Sequence, residues 1–321
     1  MDWKEGFFGR LWPCLGEILK WNYAVCWNSL EYCGTSIVSL SHLDLAGLVK
    51  ILFIRKENQP VTKGVRYSSH LVGTSETTRV TSSNTGERVF NQWLAGLIDG
   101  DGCLLVSKQG YTSCEITVAL PDERLLRIIQ NKLGGSIKPR SGVQAIRWRL
   151  HNQAGMLELI SRINGYIRHS SRLLQLNHVC AVLSVPLLSP DSLTNTHGWF
   201  SGFFDADGTI GYYFKGPYLS PQLTLSVTNK LYNDVVHFMD TFGGYVYFDK
   251  AQNGYYKYSV QSEKDIDILL AYFKLCPSRS VKANRIFLVK EYYKLIGLKA
   301  HKAPEGTVLN KAWVNFNRRW K

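Results

Sequence analysis

The 321-residue chain lacks the sequence signals of disulfide-rich, zinc-stabilised and membrane-spanning proteins. Its seven cysteines form no Cys-x-x-Cys pair, so neither a structural zinc site nor a disulfide framework is predicted. No apolar run reaches the roughly 18 residues that a membrane-spanning helix needs. The longest candidate, 37–54, contains His42, Asp44 and Lys50, and the N-terminus resembles neither a secretory signal nor an amphipathic transit peptide. We therefore expect reduced thiols, a reducing compartment and no membrane partner.

Acidic residues are scarce relative to basic ones. The chain has 38 lysines and arginines against 25 aspartates and glutamates, which gives a net charge of +13 and a pI of about 9.4. A protein this basic usually has a polyanionic partner, either a nucleic acid or an acidic membrane surface. Charge alone does not choose between them. The apolar content of 45% is high enough for a core, and the length allows two compact units or one large one.

The first 90 residues contain little that points to chemistry. Residues 57–90 are rich in Ser, Thr, Gly and Arg and have weak apolar periodicity, which predicts a linker or a poorly ordered tract. The segment before it contains apolar helical stretches without a recognisable site. We therefore assign residues 1–90 to an N-terminal extension and linker of unknown role, partly disordered.

After residue 90 the sequence repeats itself. A WLAGLIDGDG segment begins at Trp93, and a WFSGFFDADG segment begins at Trp199. Downstream landmarks keep the same register over about 80 residues, including a basic residue 71 positions after the second acid of the first segment and 72 after that of the second. An internal duplication of a whole domain explains this spacing. The two repeats are assigned to residues 91–190 and 191–321.

Each repeat follows the order helix, two strands, helix, two strands, helix. The strand segment IRWRL places Arg147 and Arg149 on the face opposite Trp148, and YKYSVQ places Lys257 on the polar face of its strand. Alternation with one polar face is typical of half-exposed sheets. The sequence therefore predicts an α+β fold of two αββαββα repeats, with two antiparallel sheets whose polar faces are basic.

The acidic segments also carry a glycine inside an apolar helical stretch, Gly96 in the first and Gly202 in the second. Such a glycine costs about 1 kcal/mol of helix propensity relative to alanine, a cost that is reasonable where two helices approach backbone to backbone. Paired helices would bring their C-terminal ends together. Asp101 and Asp207 would then face each other.

Two facing carboxylates at helix C-termini favour a bound cation, because the helix dipole and their mutual repulsion both disfavour the paired charges. Hard oxygen ligands suit Mg²⁺, or Mn²⁺, and we assign the carboxylates of Asp101 and Asp207 and the carbonyls of Gly100 and Ala206 to it. One alternative is a simple turn with capping acids, which the duplication disfavours. Another is an EF-hand, but the twelfth position lacks its bidentate glutamate in both copies.

The segments LAGLIDGDG at 94–102 and FSGFFDADG at 200–208 resemble the two signature motifs of single-chain LAGLIDADG homing endonucleases, which are often encoded in group I introns. The resemblance covers about residues 90–321, and the second motif is the looser match. It implies two four-stranded antiparallel saddles that straddle double-stranded DNA, with the motif helices forming a pseudo-twofold interface. The protein would then be a monomer with an internal pseudo-dimer.

The resemblance also implies roles for individual residues. Asp101 and Asp207 match the family's metal-binding acids, and a basic residue ahead of the closing helix, near the scissile phosphates, falls on Arg172 and Arg279. For each arginine, a solvated charge at a helix start is the alternative interpretation. Asn229 would position active-site water, and its counterpart in the first repeat is an alanine, so the two half-sites are expected to be catalytically unequal.

DNA contacts are expected from the polar sheet faces. Arg147, Arg149 and Lys257 would meet DNA, where an arginine can either read guanine or contact phosphate. Weaker candidates, for which an ordinary exposed position is the alternative, are Arg140, Lys108, Tyr213 and Lys215.

The expected function is a site-specific double-strand DNA endonuclease for intron homing. An RNA-binding maturase that assists the splicing of its own group I intron is the alternative, because the same fold carries both activities and RNA binding does not need the acids. A non-catalytic DNA-binding regulator is disfavoured, since both acids are retained. The resemblance places the protein in the mitochondrion, with the plastid as alternative.

Overall fold

The computed structural model describes residues 75–216 and 220–321. The compact unit formed by Ser75–Lys321 contains both repeats. Most of the predicted N-terminal extension, residues 1–74, lies outside the described residues.

The first repeat follows the predicted order of elements. Its four strands form an antiparallel sheet in the order β1-β2-β4-β3. The elements are α1 (Ser75–Asp101), β1 (Gly102–Val106), β2 (Thr112–Ala119), α2 (Glu123–Leu133), β3 (Ser136–Pro139), β4 (Ala145–Leu150), α3 (Gln153–Ile163) and α4 (Ser170–Leu183).

The second repeat has the same topology, with an antiparallel sheet in the order β5-β6-β8-β7. The elements are α5 (Trp199–Asp207), β5 (Gly208–Phe214), β6 (Pro221–Asn229), α6 (His237–Phe242), β7 (Tyr245–Asp249), β8 (Tyr255–Val260), α7 (Glu263–Leu275), α8 (Lys282–Gly297) and α9 (Val308–Trp320). The predicted α+β class and the duplicated architecture are confirmed.

The strand register explains how each sheet has one buried and one polar face. In the first sheet Ile116 pairs with Trp148 on the buried face, while Glu115 pairs with Arg149 on the other. In the second, Val227 lies opposite Tyr258, and both are buried. Helices cover the apolar face of each sheet, so the predicted alternation is confirmed.

Helix α1 begins earlier than the sequence predicts. The linker prediction for 57–90 differs from the structure at residues 75–90, which form the first turns of this helix. Phe90 is 2% exposed, and the Glu87 carboxylate accepts hydrogen bonds from Lys132, at 2.8 Å, and from Arg162. Contacts distant in sequence therefore stabilise a segment whose local composition favours a loop.

Helix α9 is an addition to the αββαββα pattern that the sequence analysis did not predict. Trp313, Phe316 and Trp320 lie on one side of it and are buried. Their rings pack against Tyr212 of β5 and Tyr292 of α8. The helix extends the core of the second repeat beyond its sheet.

The described part of the chain contains four of the seven cysteines and all the helices named above. Cys103, Cys114, Cys180 and Cys276, which lie in the described part of the chain, are not joined by disulfide bonds. None of the described helices is both long enough and apolar enough to cross a membrane.

Candidate active site

The two motif helices, α1 and α5, cross at their internal glycines. A Cβ atom on Gly96 would lie 1.9 Å from the Trp199 carbonyl oxygen, and one on Gly202 would lie 1.8 Å from that of Trp93. No side chain fits at either position, so the helices meet backbone to backbone. The sequence-based explanation of these glycines is confirmed, and the crossing brings the C-terminal ends of both helices together.

The first acid of each motif ties one motif helix to the other. Trp199 Nε1 donates to Asp99 Oδ2 at 2.7 Å, and Trp93 Nε1 donates to Asp205 Oδ2 at 2.8 Å. Both carboxylates are almost fully buried, and burial raises the pKa of Asp99 to about 7. Sequence reasoning missed this role. The available signal was a tryptophan six positions before the first acid in both motifs.

The same two acids hold the loop that precedes the closing helices. The Arg168 backbone N–H donates to Asp99 Oδ2, and the Arg279 N–H donates to Asp205 Oδ2, each at 2.8 Å. Asp205 also accepts hydrogen bonds from the hydroxyls of Ser278, at 2.5 Å, and Ser280, at 2.6 Å. These bonds position the start of each closing helix relative to its motif helix.

The second acids, Asp101 and Asp207, come together at the converging helix ends. Burial raises the pKa of both carboxyl groups, and for Asp101 the charge of Asp207 raises it further. Gly100 packs directly against this pair: a Cβ there would lie 2.3 Å from the Ala206 Cβ and 3.2 Å from Asp207 Oδ2. The predicted juxtaposition of the two acids is present.

Lys282, at the start of α8, is the main basic group beside the acids. Its Nζ donates to the carbonyl oxygens of Phe204, at 3.0 Å, Asp205, at 2.7 Å, and Ala206, at 2.8 Å. The side chain is buried, which lowers its pKa, while the charges of Asp101 and neighbouring acids oppose that shift. The lysine both caps the motif helix and places a positive charge at the acid pair.

Arg172 occupies the corresponding place in the first repeat. Its Nε donates to the Ile98 carbonyl at 3.3 Å and its Nη2 to that of Gly100 at 3.5 Å. These bonds are longer than those of Lys282, so the cap on the first motif helix is looser. The positive charge of Arg172 partly offsets the rise in pKa that burial causes in both second acids.

Arg279 does not lie at the acid pair, and this part of the sequence-based assignment is corrected. Its guanidinium packs over the Trp93 ring, 4.8 Å from the centroid, and over Phe90 at 5.6 Å. Its structural counterpart is Arg168, which lies over Trp199 at 5.7 Å. The first hairpin is longer in the second repeat: Gly208 pairs with Val227, whereas Gly102 pairs with Ile116. Equal spacing from the motif therefore selected the wrong residue and missed Lys282.

Asn229 lies where the two repeats meet. Its Oδ1 is 3.2 Å from His169 Nε2, and the side chain is largely buried. The strand register places the buried Val118 at the equivalent position of the first sheet, so the counterpart named from the sequence, Ala119, is corrected by one residue. The structure therefore connects Asn229 to the loop of the opposite repeat, and the two halves are chemically different here.

Reciprocal contacts join each repeat to the closing helix of the other. The Ser170 backbone N–H donates to Asp234 Oδ1 at 3.2 Å, and the Val281 N–H donates to Asp122 Oδ1 at 2.7 Å. Both aspartates follow the second strand of their repeat. The charge of Asp122 also raises the pKa of Asp101, so it contributes to the electrostatics of the site.

The polar face of the first sheet carries the predicted arginines. Arg147 Nη1 lies 2.9 Å from Glu115 Oε2, and Arg149 Nε lies 3.1 Å from Glu115 Oε1. Both guanidinium groups remain partly exposed, at 38% and 50%. One glutamate therefore orients two arginines on the surface while leaving a net positive charge. Sequence analysis did not assign this role to Glu115.

The polar face of the second sheet differs from the prediction that both faces are basic. Lys257 of β8 lies opposite Thr228 and Tyr247, and Tyr245 stacks on Tyr247 with ring centroids 5.7 Å apart. Tyr213 adds a further exposed ring. Phenol and hydroxyl groups outnumber charges here, which suits a hydrogen-bonding and stacking surface.

The three remaining candidates lie in turns at the ends of the sheets. Lys108 is exposed between β1 and β2, and Lys215 is exposed directly after β5. Arg140 lies in the β3–β4 turn, where its N–H donates to the Ala145 carbonyl at 2.9 Å. Their positions extend the polar surface of each sheet at its end.

The acid pair fits a magnesium-type ion better than a closed protein cage. Within residues 75–216 and 220–321, no three acidic, histidine or cysteine side chains are grouped so that together they could hold a metal ion. Mg²⁺ is usually held by one or two carboxylates, with substrate phosphates and water as further ligands. The Gly100 and Ala206 carbonyls already accept bonds from Arg172 and Lys282. The carboxylates of the second acids are therefore the better ligands.

Comparison with known proteins identifies the family. The LAGLIDADG endonuclease family matches residues 94–183 and 200–293, which are the two repeats. The chain belongs to this family. The matched residues include both motif acids and all eight strands named above.

Several intron-encoded proteins are similar to this LAGLIDADG chain. A probable intron-encoded endonuclease, aI2, of Debaryomyces hansenii is 50% identical over 79% of the chain and 45% of its own length. The intron-encoded RNA maturase bI4 of Saccharomyces cerevisiae is 44% identical over 94% of the chain and 52% of its own length. The chain thus spans about half the length of these two relatives.

Solved structures of LAGLIDADG homing endonucleases share the fold. I-LtrWI bound to target DNA has a TM-score of 0.53 at 14% identity, with 73% of this chain and 97% of that chain covered. I-AabMI bound to uncleaved DNA has a TM-score of 0.51 at 21% identity, with 69% and 97% covered. At these identities the likeness supports the architecture alone.

Proposed function

We propose that the chain is a site-specific endonuclease that hydrolyses both strands of a DNA target with the help of Mg²⁺ or Mn²⁺. The observation that carries the proposal is the acid pair Asp101 and Asp207, buried at two converging helix ends beside Lys282 and Arg172. Like charges held together in this way are unfavourable in a merely structural site. A bound cation and a phosphate would make the arrangement favourable.

Each group has a defined task in this proposal. Asp101 and Asp207 would hold the metal, which, when bound, supplies Lewis acidity toward a phosphate oxygen and water activation. Lys282 and Arg172, one from each repeat, would stabilise negative charge on a scissile phosphate. Asn229, fixed by its contact with His169, would orient water in one half-site only.

Double-stranded DNA is the proposed substrate because two antiparallel sheets present polar faces on one chain. The faces differ, with paired arginines on the first sheet and tyrosines with Lys257 on the second. Such a pair of surfaces suits a target whose two halves differ in sequence. The motif-helix crossing supplies the dimer-like interface internally, and we therefore propose that the active form is a monomer.

The test compares Asp101→Asn and Asp207→Asn with the unchanged chain on the intronless form of its target. We expect Mg²⁺-dependent cleavage to fall by at least about a hundredfold, which corresponds to roughly 2.7 kcal/mol of transition-state stabilisation, while DNA binding in Ca²⁺ persists. Asp240→Asn is the control, because it removes the charge of an exposed acid on α6 and leaves the acid pair and the sheet faces intact. Undiminished cleavage by either aspartate variant would refute the proposal.

A second function, RNA maturation, is favoured by one comparison. The relative named as an RNA maturase matches 94% of this chain, more than the endonuclease relative does. Splicing assistance would not require the acids. The test is an Asp101→Asn/Asp207→Asn double variant in a splicing assay in vitro with the chain's own group I intron. Splicing that persists in this variant would support the maturase function. Loss of splicing in a correctly folded variant would show that splicing depends on the acid pair.

The mitochondrion is the proposed compartment, because the similar proteins are intron-encoded products of yeasts. Fractionation with a tagged chain would test this. The plastid alternative has no support among these relatives.

A further inference from the structure

The positive charge of the chain is concentrated on helices that lie away from the proposed DNA surface. Beyond Lys282, which lies at the acid pair, residues 283–321 contain nine lysines and arginines and two glutamates, a net charge of +7 out of the chain's +13. Tyr292 of α8 and Phe316 of α9 point into the core of the second repeat. Because both helices cover the apolar side of the sheet, their exposed sides face away from its polar side.

Exposed residues of α8 and α9 form one surface, which we name the basic helical face. Arg319 of α9 pairs with Glu291 of α8, and Arg285 Nε donates to the Trp320 carbonyl at 2.8 Å, so the two helices lie side by side. The basic helical face consists of Phe287, Lys290, Lys294, Lys311, Arg318 and Arg319.

Phe287 distinguishes this surface from an ordinary solvated charged face. It is 84% exposed, more than any other described aromatic side chain in the chain. Lys290 and Lys294 follow it at three and seven positions, on the same side of the helix. Phe287 has no ring partner among the described aromatic contacts, so its faces are free for a ligand.

Little acidic charge is left to offset this surface. The carboxylate of Glu291 forms a salt bridge with Arg319. The carboxylate of Asp267, on α7, forms one with Lys290, with 2.5 Å between Lys290 Nζ and Asp267 Oδ1. Lys294 and Lys311 remain exposed on either helix. A polyanion is the ligand class that such a face fits.

An exposed ring beside lysines fits unpaired bases rather than a duplex. Bases in a DNA duplex are stacked on each other, whereas those in RNA loops are free to stack on an aromatic side chain. We propose that the basic helical face binds unpaired RNA, independently of the DNA bound at the sheets. The proposal rests on the nucleic-acid function proposed above, and it assigns the RNA to a different surface from the DNA.

Binding of single-stranded oligouridine by the full chain tests the proposal. Phe287→Ala is expected to weaken binding about tenfold, because one base–aromatic stack is lost, and Phe287→Tyr is expected to retain it. Lys294→Gln/Lys311→Gln should lower the slope of log affinity against log salt by about 1.4, since two phosphate contacts are lost. The matched control is Lys264→Gln/Lys274→Gln, which removes the same charge from exposed positions on α7.

Duplex DNA binding and cleavage are measured with the same variants. The proposal predicts that both stay within about twofold of the unchanged chain, since the sheet faces are not altered. It is overturned if Phe287→Ala leaves oligouridine binding unchanged, or if the α7 control weakens it equally. It is also overturned if DNA binding falls in parallel with RNA binding. Failure of the unchanged chain to cleave DNA would count against the proposed endonuclease alone.

Discussion

Lys282 differs from its counterpart Arg172 in how tightly it is held. It makes three short bonds to carbonyl oxygens at the end of α5, whereas the arginine makes two longer ones. We expect Lys282→Met to slow cleavage of one strand by about a hundredfold, in the range of losing one preorganised charge contact, and the other strand much less. A supercoiled plasmid target would then accumulate as nicked circles.

Lys282→Arg and Lys274→Met serve as controls for that measurement. The arginine keeps the charge and should retain part of the activity, and the second variant removes an exposed lysine of α7. Thermal unfolding of each variant separates a lost cap from a lost charge. Equal slowing of both strands would contradict the assignment of one basic residue to each strand.

His197 is a buried imidazole that should make stability depend on pH. Burial and the nearby charges of Arg168 and Arg88 lower its pKa to about 3. The folded state therefore binds the proton less readily than the unfolded state, where the pKa is about 6.5. Its contribution to stability is complete above pH 6.5 and is lost as the pH falls from 6.5 toward 3.

Urea unfolding between pH 8 and pH 4 measures this dependence. Unfolding should take up as much as one proton in the acidic part of the range, and His197→Gln should reduce that uptake. An unchanged pH dependence in the variant would show that another group is responsible.

At the scale of elements, the crossing of α1 and α5 depends on the absence of two side chains. Gly96→Ala would place a Cβ 1.9 Å from a backbone oxygen, so the helices would have to move apart. We expect a loss of about 1–3 kcal/mol or more in unfolding free energy and a misaligned acid pair without cleavage. Gly86→Ala in the same helix is the control: nothing lies within 4 Å of its Cβ, and it should stabilise by up to about 1 kcal/mol.

The elements also show which features could be predicted from sequence. Alternation around Trp148 and the duplicated motifs predicted both sheets and the acid pair, because side-chain period and helix pattern are local properties. The first turns of α1 were not predicted, since they depend on contacts such as Glu87 with Lys132. Lys282 was missed because the β5–β6 hairpin is longer than the β1–β2 hairpin, and this difference becomes visible only from the strand register.

At the scale of the whole molecule, the two repeats are joined by exchanged contacts rather than by simple apposition. Asp205 accepts bonds from Trp93 of the first repeat and from the loop that starts the closing helix of the second. Asp122 and Asp234 each bind the closing helix of the opposite repeat. Each closing helix is thus held both by the motif acid of its own repeat and by an aspartate of the other, so we expect the repeats to unfold as one unit.

Asp205→Ala tests this coupling. The substitution leaves several buried donors without an acceptor, and each such group costs about 1–3 kcal/mol, so we expect a loss of at least about 3 kcal/mol. Hydrogen exchange should rise together in β2 of the first repeat and β6 of the second, because global unfolding would carry both. Asp240→Ala, an exposed acid on α6, is the control. Faster exchange confined to the second repeat would show instead that the repeats are independent folding units, with the active site assembled from two separately stable halves.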